Sequence, residues 1–169
     1  PFADTEYCLE YASDLENSTR VFELLCELME TRQREMTKYR ARTLTELRKV
    51  HPESHTFPYV VVMIDELSDI ILQDAKKKGQ PAFTALVRLA QKARSAGIHI
   101  IANTQRPDSS VVKGILKSNL PVQIALRVSN RFDSRVILDS EGAEYLVGKG
   151  DMLVKYKGKT IRGQAAIVE

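Results

Sequence analysis

The stretch "PYVVVMIDELSD", residues 58–69, places five consecutive apolar residues directly before two adjacent carboxylates. A continuous apolar run rich in β-branched residues is typical of a strand that is buried on both faces of a parallel sheet. We therefore predict a strand over residues 60–64, with helices on both faces of its sheet. Asp65 and Glu66 then lie at the carboxyl end of this strand.

Apolar periodicity and turn residues predict alternating helices and strands along the rest of the chain. A helix is expected over residues 18–50, capped by Asn17 or Ser18, with a charged second half in which it can break. Further helices are predicted at 67–74, 82–95, about 110–118 and 133–138, further strands at 98–103 and 122–128, and a closing hairpin around Lys157-Gly158. The fold class is therefore α/β, with a mostly parallel sheet flanked by helices and a C-terminal β-hairpin.

The composition is that of a soluble globular domain. The 169 residues are 43% hydrophobic and 28% charged, with a net charge of +3 that permits a nucleic-acid partner without requiring one. The apolar runs are too short to span a bilayer, and the two cysteines have no metal-ligand spacing, so we expect a cytoplasmic location with reduced thiols. Because the chain does not begin with Met, we expect it to be an excerpt of a longer protein.

Polar residues follow two of the predicted strands. Ligands of open parallel sheets bind at the carboxyl ends of the strands, where Asp65 and Glu66 follow the first strand and Thr104-Gln105-Arg106 follow the second. Two adjacent acids suit a division of roles in which one holds Mg²⁺ through water and the other polarises an attacking water, as in a Walker B motif. The alternative is structural: Asp65 caps the following helix, and Glu66 lies in its first turn.

No phosphate-binding loop of the G-x-x-x-x-G-K-[ST] type is present in the chain. The only similar tripeptide is Gly158-Lys159-Thr160, but Leu153 stands where the first glycine belongs, and the tripeptide lies in the predicted hairpin. We therefore interpret this tripeptide as unrelated to phosphate binding.

Five segments together resemble the FtsK/SpoIIIE family of DNA translocases. They are "PYVVVMIDELSDI", "LVRLAQKARSAGIHIIANTQRP", "ILKSNLPVQIAL", "RFDSRVILD" and "GAEYLVGKGDMLV", in this order between residues 58 and 154. The resemblance implies a RecA-like P-loop ATPase core, with residues 1–57 as a helical segment that leads into it and residues 58–169 as its Walker B half. The Walker A loop is expected before residue 1, and any membrane anchor is expected outside this stretch.

The resemblance also implies roles for individual residues toward ATP and Mg²⁺. Asp65 matches the aspartate associated with Mg²⁺, Glu66 the catalytic base, and Gln105 the polar sensor that follows the next strand, with Thr104 beside it as a nucleotide contact. Arg135 is the candidate finger that reaches the ATP of a neighbouring subunit, and Arg127 and Arg131 are the other candidates. These arginines can instead line one interface or pair with Asp133 and Asp139.

For DNA, the resemblance points to residues 108–119, with Lys113 and Lys117 as candidate contacts to phosphate. The family implies a homo-oligomeric ring, a hexamer, that threads double-stranded DNA in chromosome segregation or DNA transfer. A ring that moves along any sequence must grip the backbone, because phosphate contacts carry no sequence information. The structural alternative is that both lysines form the polar face of a short helix.

Two other functions compete with the motor. One is a non-catalytic remnant that serves as an assembly or DNA-binding module, although such a module has no need for acids and an amide along one sheet edge. The other is a dinucleotide-binding domain, which the absence of a G-x-G-x-x-G motif after any predicted strand disfavours. We expect this chain alone to hydrolyse ATP poorly.

Overall fold

The structure is a computed structural model that describes residues 5–112 and 114–166. Its contacts divide the chain into an N-terminal unit that ends at Thr104 and a C-terminal unit that begins at Gln105. The N-terminal unit contains helices α1 (Leu15–Lys38), α2 (Leu44–Val50), α3 (Leu67–Asp74) and α4 (Pro81–Lys92), strands β1 (Val60–Ile64) and β2 (Ile98–Ala102), and a 3₁₀ turn (Pro52–Thr56). The boundary predicted between residues 57 and 58 falls inside this unit.

The helix predicted over residues 18–50 begins earlier and is broken in the middle. Asp14 caps α1 by accepting a hydrogen bond of 2.8 Å from the Asn17 N–H, so the predicted caps, Asn17 and Ser18, lie inside the helix. The chain turns at Arg40, whose φ is 54°, and Thr43 then caps α2. The break contains neither glycine nor proline, and its left-handed residue is an arginine, so the composition does not mark its position.

The core of the N-terminal unit lies where α1 packs along α4 and where α3 contacts both of these helices. Its largest members are fully or nearly fully buried side chains; they include Phe22, Met29, Leu44, Leu47, Ile71, Leu86, Leu89 and Ile98. Arg32 is also buried at 2% exposure, and its guanidinium donates to the Ala96 carbonyl at 2.8 Å. Burial and the nearby Arg48 charge lower the pKa of Arg32.

Strands β1 and β2 form a parallel pair in which Val60 lies opposite Ile98 and Ile64 opposite Ala102. The predicted bounds of β1 are confirmed, but the prediction that both faces are buried is wrong for the residues that the structure describes. Val60 and Ile64 are buried, whereas Val61 and Met63 on the other face are 56% and 59% exposed. The apolar run therefore does not alternate in polarity although the burial of its side chains does.

Gly97 lies between α4 and β2 in a left-handed backbone conformation. Its φ is +76°, and a Cβ atom there would lie 2.5 Å from Leu44 Cδ2 and 3.1 Å from Tyr59 Cδ1. Only glycine combines a left-handed backbone with this close approach to two side chains.

The C-terminal unit contains α5 (Gly114–Asn119), β3 (Val122–Leu126), α6 (Arg131–Leu138), β4 (Asp151–Tyr156) and β5 (Lys159–Gln164). Its three strands form an antiparallel sheet in the order β3-β4-β5, so the predicted hairpin is confirmed. The strand predicted over residues 122–128 is β3, which pairs antiparallel with β4. A small core holds α6 against this sheet; it consists of Ala125, Leu138, Ala143 and Leu146 with Val128, Ile137 and Leu153 around them.

A buried carboxylate ties β4 to β5. Asp151 is 5% exposed and accepts two hydrogen bonds from Arg162, at 2.9 Å from Nε and 2.6 Å from Nη2, and a third from the Val147 N–H at 2.9 Å. The bidentate arginine and the backbone donor lower the pKa of Asp151 to about 2.

No helix among the described residues is long and apolar enough to cross a membrane.

Candidate active site

The carboxyl ends of β1 and β2 lie side by side at one edge of the parallel pair. Two backbone hydrogen bonds extend the pairing past the strands, from the Asn103 N–H to the Ile64 carbonyl at 2.9 Å and from the Leu67 N–H to the Asn103 carbonyl at 2.8 Å. Parallel pairing therefore brings Asp65 and Glu66 next to Thr104, as the sequence predicted for the end of these strands.

Glu66 is held by three donors that reach the same carboxylate oxygen, Oε1. The Ser68 N–H lies 3.0 Å from it, the Ser68 hydroxyl 2.6 Å, and the Thr104 hydroxyl 2.6 Å. An oxygen that receives three hydrogen bonds suits an ionised carboxylate, which can only accept them. The orientation of the Glu66 side chain is therefore fixed by donors from α3 and from the segment that follows β2.

Glu66 also forms the N-cap of α3. The structural alternative assigned this cap to Asp65 and placed Glu66 in the first turn, and that assignment is wrong by one residue. The capping oxygen is Oε1, the oxygen that Thr104 also contacts. One side chain thus combines a helix cap with the position expected of a catalytic base.

Asp65 directly precedes Glu66 and is exposed. Within residues 5–112 and 114–166, no hydrogen bond or ion pair engages its side chain, and no group of three or more metal-ligating residues forms there or elsewhere. A single free carboxylate at this edge fits a Mg²⁺ that keeps most of its water shell and takes further oxygens from a nucleotide.

The structure adds Ser68 to the residues expected from the sequence. Ser68 is 1% exposed, and its hydroxyl is directed at Glu66. The signal in the sequence is a serine two residues after the second acid, at a position where a hydroxyl supports a helix N-terminus. Thr104, which the resemblance predicted to contact nucleotide, donates its hydroxyl to Glu66.

The remaining candidates for catalysis belong to the C-terminal unit. Gln105 follows Thr104 directly in the chain and begins this unit. Arg135 lies on α6 with its side chain 55% exposed, and its guanidinium pairs with Glu141 at 2.6 Å. The alternative, in which the candidate arginines pair with Asp133 and Asp139, is not seen in the described part of the chain: Asn130 donates to Asp133, and two lysines pair with Asp139.

The two candidate contacts to DNA have different outcomes. Lys113 lies outside the described residues. Lys117 is on α5 with its side chain only 13% exposed, and its ammonium donates to the Val136 carbonyl at 2.6 Å and to Asp139 at 2.7 Å. The tripeptide at residues 158–160 lies in the turn and first residues of β5, and no helix follows it among the described residues to form a phosphate loop.

The family model of the FtsK/SpoIIIE family matches residues 5–109, which is more than half of the chain. A DNA translocase FtsK from Helicobacter pylori (strain ATCC 700392 / 26695) is 36% identical over 155 residues, covering 90% of this chain and 18% of the relative. A DNA translocase FtsK from Chlamydia pneumoniae is 46% identical over 115 residues, covering 67% of this chain and 14% of the relative. The chain belongs to the FtsK/SpoIIIE family, and it spans less than a fifth of the length of these relatives.

Two solved structures resemble the fold. The conjugation coupling protein TcpA, in its monomer form with ATPgS, superposes with a TM-score of 0.81 at 24% identity, covering 89% of this chain and 44% of that one. The cytoplasmic domain of the type VII secretion ATPase EccC from Thermomonospora curvata gives a TM-score of 0.74 at 24% identity, covering 90% of this chain and 18% of that one. The predicted α/β fold class, with parallel strands flanked by helices and a C-terminal β-hairpin, is confirmed.

Proposed function

We propose that this chain is the Walker B part of an ATP-driven motor that translocates double-stranded DNA. The observation that carries the proposal is the edge of the β1–β2 pair, where a free Asp65 adjoins a Glu66 that Thr104 and Ser68 hold in one orientation. Membership of the FtsK/SpoIIIE family supports the same function. The cellular process that we propose is chromosome segregation or DNA transfer in the cytoplasm.

In this proposal, Glu66 is the general base of ATP hydrolysis. Oε1 is occupied by three donors, so the carboxylate is pre-oriented and does not have to find its geometry during the reaction. A positioned base accepts the proton of an attacking water and typically accelerates such a step by about 10²- to 10⁴-fold. Ser68 and Thr104 are then positioning residues.

Asp65 is the residue that we propose to hold Mg²⁺, through a water molecule. When bound, Mg²⁺ neutralises the charge that develops on the transferred phosphoryl group. Asp65 is suited to this role because it is exposed and next to the proposed base. The phosphates themselves require a P-loop, which we propose that another part of the full-length protein supplies.

The residues of the C-terminal unit extend this proposal. We assign Gln105 as the sensor of the terminal phosphate, since it follows directly after the residue that contacts Glu66. Arg135 is the proposed finger toward the ATP of a neighbouring subunit, because it is exposed on α6 and its ion-pair partner, Glu141, is itself part exposed. Exposed ion pairs of this kind are weak and can exchange partners.

Residues 108–119 are the proposed contact to DNA, with Lys113 as the phosphate contact, and six copies of the chain in a ring would multiply a weak contact.

The test of the proposed function is the rate of phosphate release by the full-length protein with and without linear double-stranded DNA. The proposal expects ATP hydrolysis that DNA stimulates. DNA binding without any ATP hydrolysis would instead support the non-catalytic module, which the helix-capping role of Glu66 also fits.

The 169-residue chain alone provides a second arm of this test. Because it has no phosphate loop in its sequence, the proposal expects hardly any hydrolysis by the isolated chain. Turnover of about 1 per second or more, within the usual range of enzymes, would mean that the chain holds a complete site and would overturn the fragment interpretation.

A further inference from the structure

Asp139 and two lysines join three elements of the C-terminal unit. Lys117 of α5 donates to Oδ1 of Asp139 at 2.7 Å, and Lys155 of β4 donates to Oδ2 at 2.6 Å. We call Lys117, Asp139 and Lys155 the Asp139 clasp. Both oxygens of one carboxylate are therefore engaged by lysines that lie 38 residues apart in the sequence.

The clasp closes the C-terminal end of α6. Asp139 is the C-cap of this helix in a left-handed conformation, with φ 57°. Besides binding Asp139, Lys117 donates to the Val136 carbonyl at 2.6 Å and Lys155 to the Leu138 carbonyl at 2.7 Å. These carbonyls are in the last turn of α6, where intrahelical donors run out and positive charge is favourable.

The side chain of Lys117 is neither exposed nor free, as a lysine available to bind phosphate would be. Its side chain is 13% exposed, and two of the three donors of its ammonium already point at oxygens of α6 and its cap. Hydrogen bonds from the two lysines also lower the pKa of Asp139. To reach DNA, Lys117 would have to leave an ion pair and a backbone carbonyl at once.

We infer that Lys117 is a positioning residue that couples α5 to α6 through Asp139, and that it does not contact DNA. This inference rests on the proposed motor function, in which α5 closes the segment that contacts DNA and α6 carries Arg135. The link to Arg135 is short, because the Asp139 N–H donates to the Arg135 carbonyl at 2.9 Å. A displacement of α5 is thereby transmitted to the helix turn that presents the proposed finger.

The experiment compares Lys117→Met, Asp139→Asn and the double variant of the full-length protein. Methionine keeps most of the length of the lysine stem, and asparagine tolerates the left-handed conformation. Lys159→Met is the matched control, because Lys159 is an exposed lysine of β5 in the same unit. The first readout is the ratio of ATP hydrolysis with and without double-stranded DNA, and the second is the salt dependence of DNA binding.

Coupling predicts that each single variant lowers the stimulation ratio by at least about fivefold and that the double variant is no worse than either. The slope of the logarithm of affinity against the logarithm of salt concentration stays that of the wild type. A direct bond from Lys117 to phosphate predicts the opposite pattern: Lys117→Met makes the slope shallower by about 0.9 for each phosphate that is no longer neutralised, and Asp139→Asn does not. That pattern, or additive effects in the double variant, would overturn the inference.

Hydrogen exchange of the peptide covering residues 131–139 separates this inference from the motor function. The clasp predicts faster exchange there in Lys117→Met and in Asp139→Asn, and unchanged exchange in Lys159→Met. If the wild-type protein shows no ATP hydrolysis that DNA stimulates, the proposed function fails together with the coupling role, whereas the exchange result still decides whether the clasp exists. Unchanged exchange in both clasp variants would remove the clasp itself.

Discussion

Glu66 accepts hydrogen bonds from α3, whose N-cap it forms, and from the segment that follows β2. Ser68 of α3 and Thr104 after β2 both donate to its Oε1, and Glu66 itself lies in the short connection between β1 and α3. The helix cap and the proposed base therefore share one side chain, and a substitution there changes both. Glutamine is the informative replacement, because its amide oxygen can keep the cap while the negative charge is removed.

Gly97 combines a left-handed backbone with close neighbours, so a larger residue is poorly tolerated there. We expect Gly97→Ala to destabilise the chain by about 2 kcal/mol or more, because the new Cβ would meet Leu44 at 2.5 Å and Tyr59 at 3.1 Å. Gly158→Ala is the matched control, since Gly158 has the same φ of +76° with no described atom within 4 Å of its Cβ position. The measurement is urea unfolding followed by circular dichroism. Equal destabilisation of the two variants would show that backbone strain, not the close approach, determines the cost.

At the scale of elements, the sequence predicted correct bounds where particular residues mark the start and end of an element. The bounds of β1 and α3 were correct because Pro58 precedes an unbroken apolar run and the acids end it. The break between α1 and α2 was not located, since Arg40 supplies a left-handed residue that carries no compositional signal. The antiparallel pairing of β3 was missed because an apolar run does not encode the direction of its neighbour.

The site residues likewise divide into those that local sequence places and those that depend on tertiary packing. Asp65, Glu66 and Thr104 could be placed together, because parallel strands bring their carboxyl ends to one edge. The Glu141 partner of Arg135 and the Asp139 partner of Lys117 could not, since such ion pairs depend on how α5, α6 and β4 pack. Sequence periodicity places an exposed charge on a face of a helix but does not choose its partner.

The Asp151–Arg162 pair between β4 and β5 gives the C-terminal unit a defined response to acid. Arg162 lowers the pKa of Asp151 to about 2, below its ordinary value of 3.8. The pair therefore contributes its full stabilisation above about pH 4, and this contribution is lost as the pH falls through about 2. We expect Asp151→Asn to lower the melting temperature at pH 7 and to flatten its fall between pH 4 and pH 2.

The control for this measurement is Glu141→Gln, which removes the exposed pair with Arg135. Exposed ion pairs contribute little to stability, so the melting temperature should stay close to that of the wild type across the same pH range. A profile of Asp151→Asn parallel to the wild-type profile down to pH 2 would contradict the assignment of the acid response to this pair.

At the scale of the whole molecule, two units divide the proposed work. The N-terminal unit carries the acidic edge with Asp65 and Glu66, and the C-terminal unit carries Gln105, Arg135 and the Asp139 clasp. The proposed motor needs both units, because ATP hydrolysis at the edge of the β1–β2 pair moves DNA only if it is coupled to the segment that contacts DNA.

The most direct test of the proposed hydrolytic site is a single-turnover measurement of ATP hydrolysis by full-length Glu66→Gln. Removal of the general base is expected to slow hydrolysis by about 10²-fold or more while ATP binding is retained. Asp69→Asn is the matched control, because Asp69 is an exposed acid in the first turn of α3, and it should hydrolyse ATP at the wild-type rate. Hydrolysis by Glu66→Gln at the wild-type rate would contradict the central claim.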